Sequence, residues 1–177
     1  MTRRSFAGAF MLAAATKPAD LPAMEKRVFD AVDNQRGHIG AANLIWSDEL
    51  AAAARAQSVN MMERDFFAHV DPVRGDLAAR LNGAGIKWVR CGENLLTEMG
   101  YIEPVWTAIV EWMHSPGHKQ TLLDPGYTHS GVGIARNDEG RYWITQIFIV
   151  PPPGAPKDDS GQRPMWRKKK RITRKAG

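Results

Sequence analysis

Side chains able to ligate a metal or attack a substrate gather in four stretches: Phe66-Phe67-Ala68-His69, Gly92-Glu93-Asn94-Leu95, Trp112-Met113-His114-Ser115-Pro116-Gly117-His118 and Tyr142-Trp143-Ile144-Thr145-Gln146. Neutral imidazoles and carboxylates are ordinary ligands for zinc or a similar borderline divalent ion. Such an ion needs an open coordination position to do catalysis. His114 and His118 have the spacing found in zinc proteases. That motif requires both histidines on one unbroken helix and a glutamate directly after the first. Here Ser115 follows His114 and Pro116-Gly117 breaks the helix. His114 is therefore read as a surface residue, and His38 and His129 fall in loop-like surroundings. Nucleophiles are scarce. Cys91 is two residues from Glu93, on the same side of an extended segment, and a Cys–His pair would be a catalytic candidate. A lone cysteine is more often a small buried hydrophobe. Nothing marks Ser115 as activated.

These stretches must be positioned by helices first and strands last. Met24, Val28, Ala31 and Val32 recur at helical spacing, and Gly37 stops that helix. Ser47 is a good N-cap, with Asp48 and Glu49 in the first turn; its helix runs to about Arg64. Asp76 to Leu81 predicts a shorter helix ended by Asn82-Gly83, and Trp88 to Leu96 an extended segment. Pro104 suits the first position of a helix. Trp106, Ile109, Val110 and Met113 then predict its buried face. A short helical turn through Leu122 and Leu123 closes at Asp124-Pro125-Gly126. Gly131 to Ala135 and Tyr142 to Val150 read as strands joined by the turn Asn137-Asp138-Glu139-Gly140. This order predicts an α+β layered domain with an antiparallel sheet.

Taken in order, with Gly131-Val132-Gly133 between the last two, the four stretches resemble the CAP superfamily: cysteine-rich secretory proteins, antigen 5 and plant pathogenesis-related 1. The bacterial secreted branch is the nearer likeness, over about residues 24–150. The resemblance implies a three-layer α-β-α sandwich around a small antiparallel sheet. It also implies a cleft lined by two histidines and two acids that can bind a divalent metal. His69 takes the first histidine position and Glu93 the first acid, and His118 matches the histidine of the bacterial Ser-Pro-Gly-His segment. Two positions depart from the eukaryotic pattern: Ser115 stands where the second acid lies, and Trp143 where the second histidine lies. His118 is then expected to supply the missing imidazole. Glu111, four residues before Ser115 on one helical row, is a substitute carboxylate. The expected cleft is thus His69, Glu93, His118, Glu111 and Ser115, with His69, His118 and Glu93 as ligands for zinc or another divalent ion. Three ligands are enough for a catalytic site and too few for a closed structural one. The residue types alone leave it open whether metal binds.

Charge is divided unevenly. Residues 163–177 hold eight Lys/Arg and no acid, and Arg3 and Arg4 lie near the start. Without those ten, 14 basic residues face 19 acidic ones, so the body is acidic despite the formal +5 of the whole chain. A basic nucleic-acid-binding fold is not indicated. The single cysteine allows no intramolecular disulfide, so packing alone must hold the body together.

Residues 1–15 show two arginines, a short apolar run and Ala13-Ala14-Ala15 before Thr16, the pattern of an export signal. Thr2-Arg3-Arg4-Ser5-Phe6 resembles the twin-arginine signal. The domain is expected over 16–150. Pro151-Pro152-Pro153 ends the last strand, and 151–177 reads as a proline-rich linker and disordered basic tail. That tail is expected to attach to an anionic envelope surface, at about 1 kcal/mol per basic residue. The five tryptophans of the body are mostly expected in the core, with some free to line a groove for a lipid-like ligand. The function expected is an exported module that binds a cell-envelope or lipid-like ligand. The alternative is a metal-dependent hydrolase acting on peptide or wall substrates.

Overall fold

The computed structural model describes residues 19–101 and 103–154; the export signal, the start near Thr16 and the basic tail lie outside them. In chain order the elements are α1 (Leu21–Gly37), β1 (Ile45–Trp46), α2 (Asp48–Glu63), α3 (Leu77–Gly83), β2 (Arg90–Met99), α4 (Pro104–His114), α5 (Pro116–Leu123), β3 (His129–Arg136) and β4 (Arg141–Val150).

Gly131 and Gly133 decide how the layers meet. A Cβ on Gly131 would run into the backbone of Leu50 and Ala51, and one on Gly133 into that of Ala54 and Arg55. The alanine-rich α2 therefore lies directly on β3, which is why this strand reads as small residues. Alternate residues of β3 point the other way. Val132 and Ile134 join Ile144 and Phe148 of β4 beneath Val28, Phe29 and Val32 of α1, Val105, Ala108, Ile109 and Trp112 of α4, and Leu122 of α5. On the α2 side, Leu50, Ala54 and Leu81 pack on Ile147 and Ile149, and Met61 on Leu95 and Trp143. The result is the expected α-β-α sandwich.

The sheet runs β1-β3-β4-β2, with both long pairings antiparallel and the two-residue β1 parallel to β3. β2 is an edge strand, registered from Arg90 opposite Val150 to Met99 opposite Arg141. Ser47 and Asp76 cap α2 and α3 through their side chains, accepting from Leu50 N at 3.3 Å and Ala79 N at 2.8 Å.

The buried face of α4 differs from expectation. Trp106 is 61% exposed, and the buried stripe is Val105, Ala108, Ile109 and Trp112. Both sets satisfy the same helical spacing, one residue apart, so periodicity alone does not choose between them. Packing chooses: the Trp112 indole N–H donates to the Leu95 carbonyl at 2.9 Å, which turns that stripe toward β2.

Candidate functional site at the edge of the sheet

Three consecutive residues of β2 build the site from both sides. Gly92 lets α5 and the loop after it come close: a Cβ there would lie 2.5 Å from the Tyr127 hydroxyl and 3.0 Å from Thr121 Cγ2. Glu93 points to the α2–α3 side, where Arg80 donates from Nη2 to its Oε1 at 2.9 Å and its Oε2 at 3.0 Å. Asn94 points the other way, and its Nδ2 donates to the His118 carbonyl at 3.0 Å. A strand alternates its faces, so Glu93 and Asn94 serve the two helical layers in turn.

His69 arrives on the loop after α2. Its Nδ1 lies 3.0 Å from Glu93 Oε2, and its carbonyl accepts from Arg80 Nη2 at 3.2 Å. Asp71 braces that loop, accepting from the N–H groups of Val73 at 2.8 Å and Arg74 at 2.9 Å, and from Arg74 Nε at 2.8 Å. Burial alone would raise the Asp71 carboxyl. The two backbone donors and the Arg74 guanidinium outweigh it and hold the group at about 2. Gln57 donates to the Ala68 carbonyl at 3.3 Å, fixing the residue before His69.

His118 comes from the first turn of α5. Arg36, fully buried in α1, fixes the far end of that helix by donating to the carbonyls of Leu122 at 3.1 Å and Asp124 at 2.7 Å. The His69 and His118 rings face each other across the edge of β2, with centroids 6.1 Å apart and planes inclined by 48°. Burial, and next the neighbouring His69, lower the His118 imidazole below its ordinary 6.5. At neutral pH it is an uncharged ring with a lone pair to offer.

The structure therefore brings His69, Glu93 and His118 together. Glu111 is exposed on the last turn of α4, and its carbonyl accepts from Ser115 N at 3.1 Å. Ser115 is not on that helical row. It sits in extended backbone between α4 and α5, as the C-cap of one and the N-cap of the other. Among the described residues neither side chain is hydrogen-bonded or ion-paired to His69, Glu93 or His118. His114 ends α4 and its Nδ1 lies 2.8 Å from the Val110 carbonyl, so His114 and His118 occupy different helices. Burial pushes the Cys91 thiol up, and the charges of Asp76 and Glu93 push it further. Trp143 is a buried core residue opposite Thr97, four positions along β2 from Glu93.

Arg80 is the residue that sequence reasoning missed. Its signal was a lone basic residue inside the apolar run Leu77-Ala78-Ala79-Arg80-Leu81. The other tryptophans are spread out. Trp46 packs edge-on against Phe29, and the Trp88 indole donates to Asn82. Exposed Trp106 lines an open groove of about 350 Å³ between α1 and α4, with Ala31, Val105, Asn34 and the charged Arg27, Asp30 and Glu103.

The donor set accommodates a divalent ion in part. Two imidazoles sharing zinc at about 2.0–2.1 Å per bond have ring centroids about 5–6 Å apart, close to the spacing observed. Both Glu93 oxygens already accept hydrogen bonds from within the protein. Among the described residues no group of three or more His, Cys, Asp or Glu is arranged to hold an ion. The pair His69 and His118 fits as ligands, and Glu93 fits as the acceptor behind His69.

Comparison with known proteins agrees with this fold. The model of the cysteine-rich secretory protein (CAP) family matches residues 29–148. The chain belongs to the CAP family. YkwD of Bacillus subtilis (strain 168) is 33% identical to it over 132 residues, which is 75% of this chain and 49% of YkwD. An extracellular protein of Bacillus anthracis containing the same domain, also called SCP, has a solved structure. It superposes with a TM-score of 0.65 at 25% identity, over 77% of this chain and 45% of that one. An outer surface protein of Borrelia burgdorferi shares the fold, with a TM-score of 0.69 at 15% identity over 76% of this chain and 97% of its own. The CAP domain thus spans about half the length of YkwD and of the Bacillus anthracis protein.

Proposed function

We propose that this CAP-domain protein is an exported binding module whose edge cleft holds a divalent ion, zinc or a similar metal, between His69 and His118 and uses it to capture a cell-envelope ligand. The observation that supports this most is the facing pair of imidazoles at 6.1 Å, one of them backed by a buried carboxylate. A bound ion would offer positions to a carboxylate, phosphate or hydroxyl of the ligand. The protein's part is to orient the two imidazoles toward one point, with His118 held below its ordinary pKa by burial. Turnover is disfavoured, because catalytic zinc sites generally use three protein ligands and the Cys91 thiol is held in its protonated form by burial.

Zinc titration of the full chain by calorimetry tests the reading. One site is expected, lost in His69→Ala and in His118→Ala. A peptide and glycan substrate screen with added zinc tests the alternative. Turnover that disappears in the His69→Ala, Glu93→Ala double variant would make the protein a metal-dependent hydrolase.

Export is supported by the extracellular Bacillus anthracis relative and by the residue 1–15 pattern, with Arg3-Arg4 proposed as a twin-arginine signal. Cell fractionation tests it; uncleaved protein in the cytosol would overturn it. We further propose that the eight basic residues of 163–177 bind anionic envelope polymer or lipid. Exposed Trp106 supports a second reading, in which its indole meets the apolar portion of a lipid-like ligand whose polar head lies against Arg27, Asp30 and Asn34. Trp106→Ala would then weaken binding of a fluorescent acyl probe while leaving zinc binding unchanged.

A further inference from the structure

We infer that Arg80 is a positioning residue that sets which nitrogen of His69 faces the cleft. The inference rests on the binding reading above and deepens it. Arg80 is buried in α3, with its side chain 5% exposed beside a Glu93 side chain 3% exposed. One nitrogen, Nη2, bonds both carboxylate oxygens and the His69 carbonyl. A single guanidinium thus ties the acceptor and the main chain of the residue that uses it.

The consequence follows from hydrogen-bond chemistry. A carboxylate paired with Arg80 has no proton to give, so the proton in the His69–Glu93 contact belongs to Nδ1. In its neutral form the His69 ring then carries an electron pair on Nε2, the nitrogen away from Glu93. The His69 side chain is half exposed, while that of Glu93 is closed off from solvent. Arg80 also fixes where the carboxylate points, because Oε1 and Oε2 are both engaged from one direction. Remove it, and Glu93 loses its oriented donor and His69 loses its backbone tether. The ring is then free to turn or to carry its proton on Nε2. Outer-shell partners of metal-ligating histidines act in this way, and their loss costs about 10–100-fold in metal affinity.

The experiment uses the full chain with nitrogen-15 histidine at one fixed alkaline pH. Long-range proton–nitrogen correlation reads the His69 tautomer in the wild type, Arg80→Lys and Arg80→Met, and calorimetry reads zinc affinity. The wild type is expected to show the Nδ1–H form. Arg80→Met is expected to mix the two tautomers and weaken zinc binding about 10–100-fold, with Arg80→Lys in between. A residue that only stabilised the fold would leave the tautomer unchanged in whatever fraction remains folded. An Nε2–H tautomer in the wild type overturns the proposal, as does a folded Arg80→Met with wild-type tautomer and affinity. If Arg80→Met does not fold, Arg80→Lys is read by the same two measurements, and the wild-type tautomer decides if neither folds. If the wild type binds no zinc, the metal reading fails, and the tautomer comparison still decides the role of Arg80.

Discussion

Asn94 holds His118 in place by its backbone: its Nδ2 donates to the His118 carbonyl at 3.0 Å, one residue along β2 from the carboxylate that meets His69. Asn94 is fully buried. Asn94→Leu should leave that carbonyl without its donor at a cost of about 1–3 kcal/mol. It should also let the first turn of α5 drift from His69. Urea unfolding checks the stability loss, and a fall in zinc affinity larger than that of a distant variant of equal stability checks the drift.

Gly92→Ala should push α5 and its following loop away from β2. The new methyl would lie 2.5 Å from the Tyr127 hydroxyl and 3.0 Å from Thr121 Cγ2, and Gly92 carries no positive φ to add strain. Overpacking of this kind costs about 1–3 kcal/mol. A lower melting temperature is expected, with Tyr127→Phe in the same chain recovering part of it. No recovery would mean that the Tyr127 hydroxyl is not the obstacle.

Much of the fold was legible because caps and periodicity agree with packing at Ser47, Asp76, Pro104 and the Asn137–Gly140 turn. Legibility failed where two readings fit the same spacing, as at Trp106 and Val105, and only the contact of Trp112 with Leu95 separates them. In the site, His69, Glu93 and His118 could be named from their stretches. The direction of each side chain could not. Whether Glu93 meets the cleft or a guanidinium depends on α3 packing against β2, which brings in Arg80 from outside the recognised stretches. Glu111 was placed by extending a helical row to Ser115, and that row ends at His114.

Acid should loosen the His69 loop. Asp71 is depressed on folding from 3.8 to about 2, so its stabilisation is complete above 3.8 and is lost as pH falls through about 2. The shift corresponds to about 2 kcal/mol. Hydrogen exchange of the amides of Val73 and Arg74 should quicken between these values. Asp71→Asn should show fast exchange at every pH and a flatter acid-stability curve. An unchanged curve in that variant would remove Asp71 as the brace.

Cys91 should behave as a packed side chain. Its thiol is pushed up first by burial and then by Asp76 and Glu93, with Arg80 opposing. Reaction with a neutral disulfide reagent at pH 7 should be far slower in the folded chain than in urea, where the thiol is exposed. Cys91→Ala should leave zinc affinity essentially unchanged, since the half-buried Cys91 packs against the apolar cluster of Leu50, Leu81 and Ile147. Rapid modification in the folded state would return Cys91 to the list of nucleophiles.

Envelope binding should depend steeply on salt. The body carries five more acids than bases, whereas residues 163–177 carry eight bases and no acid. An anionic surface repels the first weakly and attracts the second strongly. That attraction is screened as the Debye length shrinks from about 10 Å at 0.1 M salt to about 3 Å at 1 M. Pelleting with anionic vesicles or isolated envelopes should therefore fall through this range. It should disappear when 163–177 is deleted, while zinc binding persists, because His69 and His118 are fixed by β2, α3 and α5 without that segment. Retention that ignores salt would place the anchor on the domain itself, and the Trp106 groove would be the surface to alter next.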